Sequence, residues 1–377
     1  MRVLVIGREP NLFDENSEAF KRIRKYAGLF EELHIISGEK QRHVPKQYGN
    51  LFLWPACSGL SPFRLWKAWR LGKEIGRKYG TQIIDAQDPG EWGLVAWLVA
   101  RSAKLPLRLQ IHTDIFSPWY RRAGWKELLR YRLARFLIPR ADCIRVVSER
   151  IKRSILSVTS YRLPANITVL PIFTDTEKFL KTKLDFKTEA RFRNYDFKMI
   201  SVGRFVDKEK NFSMLIRMMQ DFVKVCPKAL LVLVGDGPDR ELYKLQATSY
   251  KLENNVIIES WRDDLPSFYK SFDLYLMSSN YEGWGRTAIE AMAAGVPMVM
   301  TDVGLAGEAA RDGKNGRVIP VGDRNAMLEA VVEMYRDPEQ RLRYGRAGLE
   351  TIRNLETRTE EEYFKKYASS YCHSKNR

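Results

Sequence analysis

Four cysteines in 377 residues, with no Cys-x-x-Cys pair, and four histidines without ligand spacing give no ground to expect a disulfide framework or a zinc site. No Asp-x-Asp occurs in the chain, so the carboxylate pair that usually holds a metal-bound diphosphate is missing and no metal is expected. Long apolar runs are also lacking. The longest, residues 92–100, is bounded by Glu91 and Arg101 and falls far short of the roughly 20 residues of a membrane-spanning helix. The opening Met1-Arg2-Val3-Leu4-Val5-Ile6-Gly7 reads as a strand, without charged, apolar and cleavage regions in series, and a cytoplasmic location is expected.

What the chain does have is positive charge and alternation. The formal net charge is +17, and residues 101–153 hold fourteen Lys or Arg against four Asp or Glu, which implies attraction to an anionic partner. Its length suits two domains. Short apolar strands are expected at 2–6, 33–37, 82–85, 107–112 and 143–147, and a second series at 198–203, 229–235, 255–259, 273–277, 296–301 and 317–319. Helical stretches between them point to an α/β class with parallel sheets, hence two doubly wound Rossmann-like domains, residues 1–180 and 195–350, facing a central cleft. Polar residues 181–194 read as the linker, residues 351–377 as a charged helical tail, and Ser374 to Arg377 as a frayed end.

The chain is organised around Ser278-Ser279-Asn280-Tyr281-Glu282-Gly283-Trp284-Gly285-Arg286-Thr287-Ala288-Ile289-Glu290, followed by Ala291-Met292-Ala293-Ala294-Gly295-Val296-Pro297. A strand runs into a loop holding Glu282. Gly283 and Gly285 then leave the backbone bare before a helix whose first-turn N–H groups and dipole suit a phosphate. Glu282 and Glu290 accept hydrogen bonds only, so beside a phosphate cradle their natural targets are hydroxyls on either side of a diphosphate. A nucleotide sugar has hydroxyls in both places. Gly203 and Arg204 end the first strand of the second series, where open α/β sheets bind ligands, and Arg204 with Lys210 or Lys208 can hold a diphosphate.

These residues resemble the family 4 retaining glycosyltransferases of the GT-B fold, densely from about residue 200 to 323 and loosely in the first domain. The resemblance implies that the tail crosses back onto the first domain. It implies that Glu282 faces the donor sugar and Glu290 the ribose, and that main-chain N–H groups of Gly283, Trp284, Gly285, Arg286 and Thr287 serve sugar and phosphate. It also implies nucleobase contacts around Trp261 and Arg262, a cleft-facing His112 beside the sugar, and an Arg and a Lys in the loop that holds Arg204 and Lys210. The family spacing between that pair is usually one residue shorter; the following Asn211-Phe212 favours Lys210. The activity implied is retaining, metal-independent transfer of a hexose from a UDP- or GDP-linked donor, with no cofactor, to a glycan or lipid-linked acceptor of cell-surface polysaccharide or glycolipid synthesis.

Two basic, aromatic stretches, Pro62-Phe63-Arg64-Leu65-Trp66-Lys67-Ala68-Trp69-Arg70-Leu71 and the segment from Ser117 to Arg132, suit an anionic lipid surface, which would make the enzyme peripheral on the cytoplasmic face. The alternative for each is a core-facing apolar stripe with a solvated basic back. Rival functions are a GT-B sugar-nucleotide epimerase, against which the Glu282 to Glu290 context argues, and a basic nucleic-acid-binding protein, whose recognition motifs are not found.

Overall fold

A computed structural model describes residues 1–39, 41–57, 60–158, 166–355 and 359–372; the fraying expected of Ser374 to Arg377 lies outside these. The chain divides into two compact units, Met1–Pro171 with Tyr363–Arg377, and Ile172–Glu362.

The first unit is built on β1 (Arg2–Gly7), β2 (Glu32–Ser37), β3 (Lys46–Tyr48), β4 (Leu51–Pro55), β5 (Ile83–Ala86), β6 (Leu107–Ile111), β7 (Cys143–Val146) and β8 (Asn166–Val169). They run in the order β3-β4-β2-β1-β5-β6-β7-β8, parallel throughout except for the β3–β4 pair. Val3, Leu4, Ile6, Ile36, Ile84, Leu109 and Ile144 are buried between the sheet and its helices. Each such side chain contributes roughly 1.5–3 kcal/mol on leaving water. The sequence pattern misses β3 and β8, short edge strands with polar residues among them, and β4, the strand next to β3, although Leu51-Phe52-Leu53-Trp54 is an apolar run.

Along β6, Arg108 and Gln110 alternate with Leu107, Leu109 and Ile111, so one face of the sheet is polar. That face is covered by the segment from Tyr363 to Tyr371, largely in the helix Glu360–Ser369. Asp85, fully buried, accepts from Arg108 Nη1 (2.8 Å), Gln110 Nε2 (2.8 Å) and the Tyr371 hydroxyl (2.7 Å). Arg108 also donates to Ser370 Oγ, and Arg145 to Gln110 and to the Tyr363 hydroxyl. Contrary to the expectation from cysteine spacing, Cys143 of β7 is disulfide-bonded to Cys372, with Cα atoms 6.0 Å apart. A separation of 229 positions hid that pairing until the tail was placed against β7.

The second unit holds β9 (Phe197–Val202), β10 (Ala229–Val234), β11 (Val256–Glu259), β12 (Leu274–Met277), β13 (Met298–Thr301) and β14 (Arg317–Ile319), all parallel, in the order β11-β10-β9-β12-β13-β14. Its core gathers Phe197, Met199, Leu231, Leu233, Leu274 and Leu276 from the strands with Met218, Met219, Phe222, Met327 and Val331 from helices. Residues 181–194 are not a plain linker. Asp185 caps the helix Phe186–Arg191, and Phe192 is buried against Phe268 and Phe272, because an aromatic anchor outweighs the charged composition around it. Both units are Rossmann-like. In the second, the chain reverses direction of winding between β9 and β12, and the carboxyl ends of those two strands open the crevice where such sheets bind ligands.

Candidate functional site

The two loops that leave β9 and β12 are tied together by backbone and amide contacts. Asn280 N–H donates to the Glu209 carbonyl (2.8 Å), and its side-chain amide donates to the Lys208 carbonyl (3.2 Å) and accepts from Asn211 (3.2 Å). Ser278 Oγ donates to the Lys210 carbonyl (2.8 Å). Gly235, at the end of β10, permits the close packing behind this loop: a Cβ there would lie 1.9 Å from the Gly203 carbonyl oxygen, at a φ of +156°.

Charged side chains then line up across the loops. Lys210 Nζ donates to Glu282 Oε1 at 2.5 Å and lies 3.2 Å from Glu209, and Glu209 accepts from Arg204 Nη2 at 2.9 Å. Ser279 Oγ also donates to Glu282 (2.9 Å). Burial works against the charge on Lys210, but Glu282 and Glu209 outweigh it and raise its pKa. Burial likewise works against the Glu209 carboxylate, and Lys210 and Arg204 bring its pKa down overall. Lys210 and Glu209 are therefore both held ionised. Lys210 reaches Glu282, whereas Lys208 is exposed and contributes its carbonyl to the loop contact.

The helix Arg286–Ala293 starts immediately beyond. Gly285 precedes it at φ +102°, a conformation that side chains resist, and no side chain caps the first turn, so the leading N–H groups are open to an anion. Trp284 is buried, and its carbonyl takes the Leu305 N–H (2.8 Å). Thr287 is anchored from below by the buried Tyr275 hydroxyl (2.7 Å) and by Tyr269, whose hydroxyl donates to its carbonyl (3.3 Å). One turn on, Glu290 is buried, and burial raises its pKa against the opposing pull of Arg286 (3.7 Å), Lys178 and the Tyr269 hydroxyl. Glu282 and Glu290 thus occupy different settings, the first in contact with a lysine and the second buried, with Arg286 and the Tyr269 hydroxyl as its partners.

Trp261 follows β11 and is 49% exposed, so its indole is not a core residue and has a free face. Arg262 is fully engaged, donating to Asp264 (2.8 and 2.7 Å) and Glu259 (2.7 Å) over the Phe268 ring, and so rigidifies the loop that presents Trp261. His112 belongs to the first unit, just past β6. Its pKa is pushed down to about 3 by burial, with Arg145, Arg108 and Arg22 adding repulsion, so the ring is neutral at physiological pH, and Nδ1 has no hydrogen-bond partner among the described residues. Also unforeseen is Asp88, beyond β5, pushed up to about 6 by burial and by Glu91 against the Gly90 N–H and Arg130.

Glu209, Ser279, Asn280, Tyr269 and Tyr275 escaped the sequence reading. Ser279 and Asn280 lie inside the stretch around which the chain is organised and Glu209 is next to Lys210, so these three had a local signal, whereas Tyr269 and Tyr275 had none. Among the described residues, no three His, Cys, Asp or Glu side chains gather as a metal ion requires.

The basic, aromatic stretches turn several of their large apolar residues outward. In the helix Ser61–Lys78, Arg64, Ala68, Gly72 and Ile75 face inward, while Phe63 is 59% and Trp66 50% exposed. Arg64 is therefore unavailable to a surface, its guanidinium donating to Ser61 Oγ (2.6 Å). In and around the helix Trp125–Leu137, Trp119, Trp125, Leu128, Leu129 and Phe136 are exposed beside Arg121, Arg122, Lys126 and Arg132. No described helix is long and apolar enough to cross a membrane.

Comparison with known proteins gives two family matches, glycosyl transferases group 1 over residues 183–351 and glycosyltransferase family 4 over residues 26–178. The chain is 33% identical to the lipopolysaccharide core biosynthesis glycosyltransferase LpsE of Rhizobium meliloti (strain 1021) over 190 residues, 49% of this chain and 52% of that one. It is 26% identical to the putative glycosyltransferase EpsD of Bacillus subtilis (strain 168), covering 78% of each chain. Among solved structures, Anabaena HepE in complex with UDP and glucose superposes with a TM-score of 0.75 at 18% identity, covering 98% of this chain and 99% of that one.

Proposed function

Because the chain belongs to the family 4 glycosyltransferases of the GT-B fold, we propose that it is a retaining, metal-independent hexosyltransferase acting in cell-surface polysaccharide or glycolipid synthesis. Its donor is a UDP- or GDP-linked sugar, and its acceptor a glycan or a lipid-linked saccharide. The observation that carries this reading is the placement of Arg204, Lys210 and Glu282 at the β9/β12 switch point, next to the open first turn of the helix Arg286–Ala293.

In this reading Arg204, Lys210 and the N–H groups from Gly283 to Thr287 take the diphosphate, Glu290 the ribose hydroxyls, Glu282 a hydroxyl of the sugar, and Trp261 the base. During transfer the bond from the anomeric carbon to the diphosphate oxygen breaks, and its electron pair stays on that oxygen. The acceptor hydroxyl oxygen bonds to the anomeric carbon on the same face, and its proton passes to the departing phosphate, so no protein base is required. Charge grows on the leaving group as the bond stretches, and two fixed cations with a helix N-terminus stabilise it there more than in the ground state. His112, neutral, can hydrogen-bond but contributes no charge.

The outward apolar residues of both basic helices favour an anionic membrane surface as the place where the acceptor is met. Thermal unfolding with a panel of UDP-, GDP- and ADP-sugars tests the donor assignment, because a specific ligand raises the melting temperature by mass action. Stabilisation by one nucleotide series, lost in Arg204→Ala, is expected; no shift with any of them refutes the reading.

A further inference from the structure

The carboxylate of Glu209 sits between the two cations assigned to the diphosphate. It accepts from Arg204 Nη2 at 2.9 and 3.2 Å and lies 3.2 Å from Lys210 Nζ. Its side chain is 18% exposed, and its backbone is fixed at both ends, the N–H donating to the Val206 carbonyl (3.0 Å) and the carbonyl accepting from Asn280 (2.8 Å). With Glu282 beyond Lys210, charges of alternating sign run Arg204, Glu209, Lys210, Glu282 and cancel.

An anion that enters such a site meets cations already neutralised. Lys210, 15% exposed and gripped by two carboxylates, keeps both partners and offers a diphosphate only its third N–H. Arg204 can change partner, because its side chain is 66% exposed. A diphosphate carries more charge than one carboxylate and accepts a guanidinium through two oxygens, so it wins Arg204 in direct competition.

We infer that Glu209 is a positioning residue, a resident counter-anion that holds Arg204 and Lys210 oriented before the donor arrives, then yields Arg204 to the diphosphate and reclaims it as the nucleotide leaves. It weakens nucleotide binding and speeds product release. This rests on the proposed role of Arg204 and Lys210 at the donor diphosphate.

Calorimetric titration of the full chain with UDP, GDP and ADP, using whichever binds the wild type, tests both layers. Glu209→Gln changes the charge of the row from zero to +1 and removes the competitor, so the nucleoside diphosphate should bind roughly three- to tenfold more tightly and dissociate more slowly. The gain should largely vanish in about 0.5 M salt. Glu209→Asp, which keeps the charge, should restore an affinity within about twofold of wild type. Should Glu209→Gln fail to fold, Glu209→Ala carries the same expected sign. Unchanged or weaker binding in these neutral variants overturns the inference, because a merely structural glutamate would lose affinity when removed. Arg204→Ala separates the two layers. If it weakens binding while Glu209→Gln does not strengthen it, the counter-anion role alone falls; if Arg204→Ala binds as wild type does, the diphosphate assignment falls and the inference with it.

Discussion

Replacing Lys210 with Met removes one charge from a row of four while keeping most of the volume of the side chain. Glu209 retains Arg204 at 2.9 Å, but Glu282 loses the Nζ at 2.5 Å and keeps only the Ser279 hydroxyl at 2.9 Å. Its side chain is 12% exposed, so water cannot replace the lysine. Breaking a buried pair from one side costs about 3–5 kcal/mol. A carboxyl can escape that penalty by taking up a proton. At pH 7, protonating a glutamate of ordinary pKa near 4.3 costs about 3.7 kcal/mol, and this sets a ceiling on the deficit. The ceiling falls by about 1.4 kcal/mol for each pH unit, to about 1 kcal/mol at pH 5. Glu209 acts in the same direction. Its folded pKa is depressed, so its contribution in the wild type is present above its unfolded pKa and is lost as pH falls through the folded value. Urea unfolding of wild type and Lys210→Met at pH 7 and pH 5 should therefore show a deficit of about 3 kcal/mol that shrinks by half or more on acidification. A deficit below about 1 kcal/mol at pH 7, or one that does not change with pH, would refute the buried charge row.

Four further outcomes are expected. The folded pKa of Glu290 is raised by burial, so the native state binds its proton more tightly than the unfolded chain; stability should fall as pH rises from 4.5 through the raised value, and the difference between wild type and Glu290→Gln should show that slope. Tyr269→Phe removes a hydrogen-bond partner of Glu290 and should weaken nucleotide affinity about fivefold, equivalent to ~1 kcal/mol, as measured by titration. Sugar transfer should persist in excess EDTA; loss of activity restored by Mn²⁺ or Mg²⁺ would show that Arg204 and Lys210 do not suffice for the leaving group. The protein should co-sediment with anionic liposomes, less as salt rises, and replacing Arg121, Arg122 and Lys126 with Ser should remove about 1 kcal/mol per cation while nucleotide binding stays intact.

Much of the second unit was legible in the sequence because its strands are continuous apolar runs closed by turn residues. All six emerge within two residues of the expected spans. The Glu282 to Glu290 stretch was legible for a related reason: loop, bare glycines and helix start are contiguous, so local chemistry describes the local shape. What could not be read is whatever depends on strand order. Lys210 and Glu282 are 72 positions apart and meet because β9 and β12 are neighbours. The row through Glu209 and the clasp by Asn280 follow from that adjacency. Composition misled at residues 181–194, where one buried phenylalanine decides the structure, and at Arg64, whose helix turns it inward. The return of the tail to the first unit was implied by the family resemblance, but not that it covers the polar face of β6 or bonds to Cys143.

That covering has a consequence for how the protein is made. Asp85, Arg108 and Arg145 are complete only when Tyr363, Ser370 and Tyr371 reach them, and about 190 residues of the second unit are translated in between. At ~5–20 residues per second, the nascent first unit waits roughly 10–40 s with an unsealed ionic face. The amino-terminal half, although first out of the ribosome, is the last to be finished.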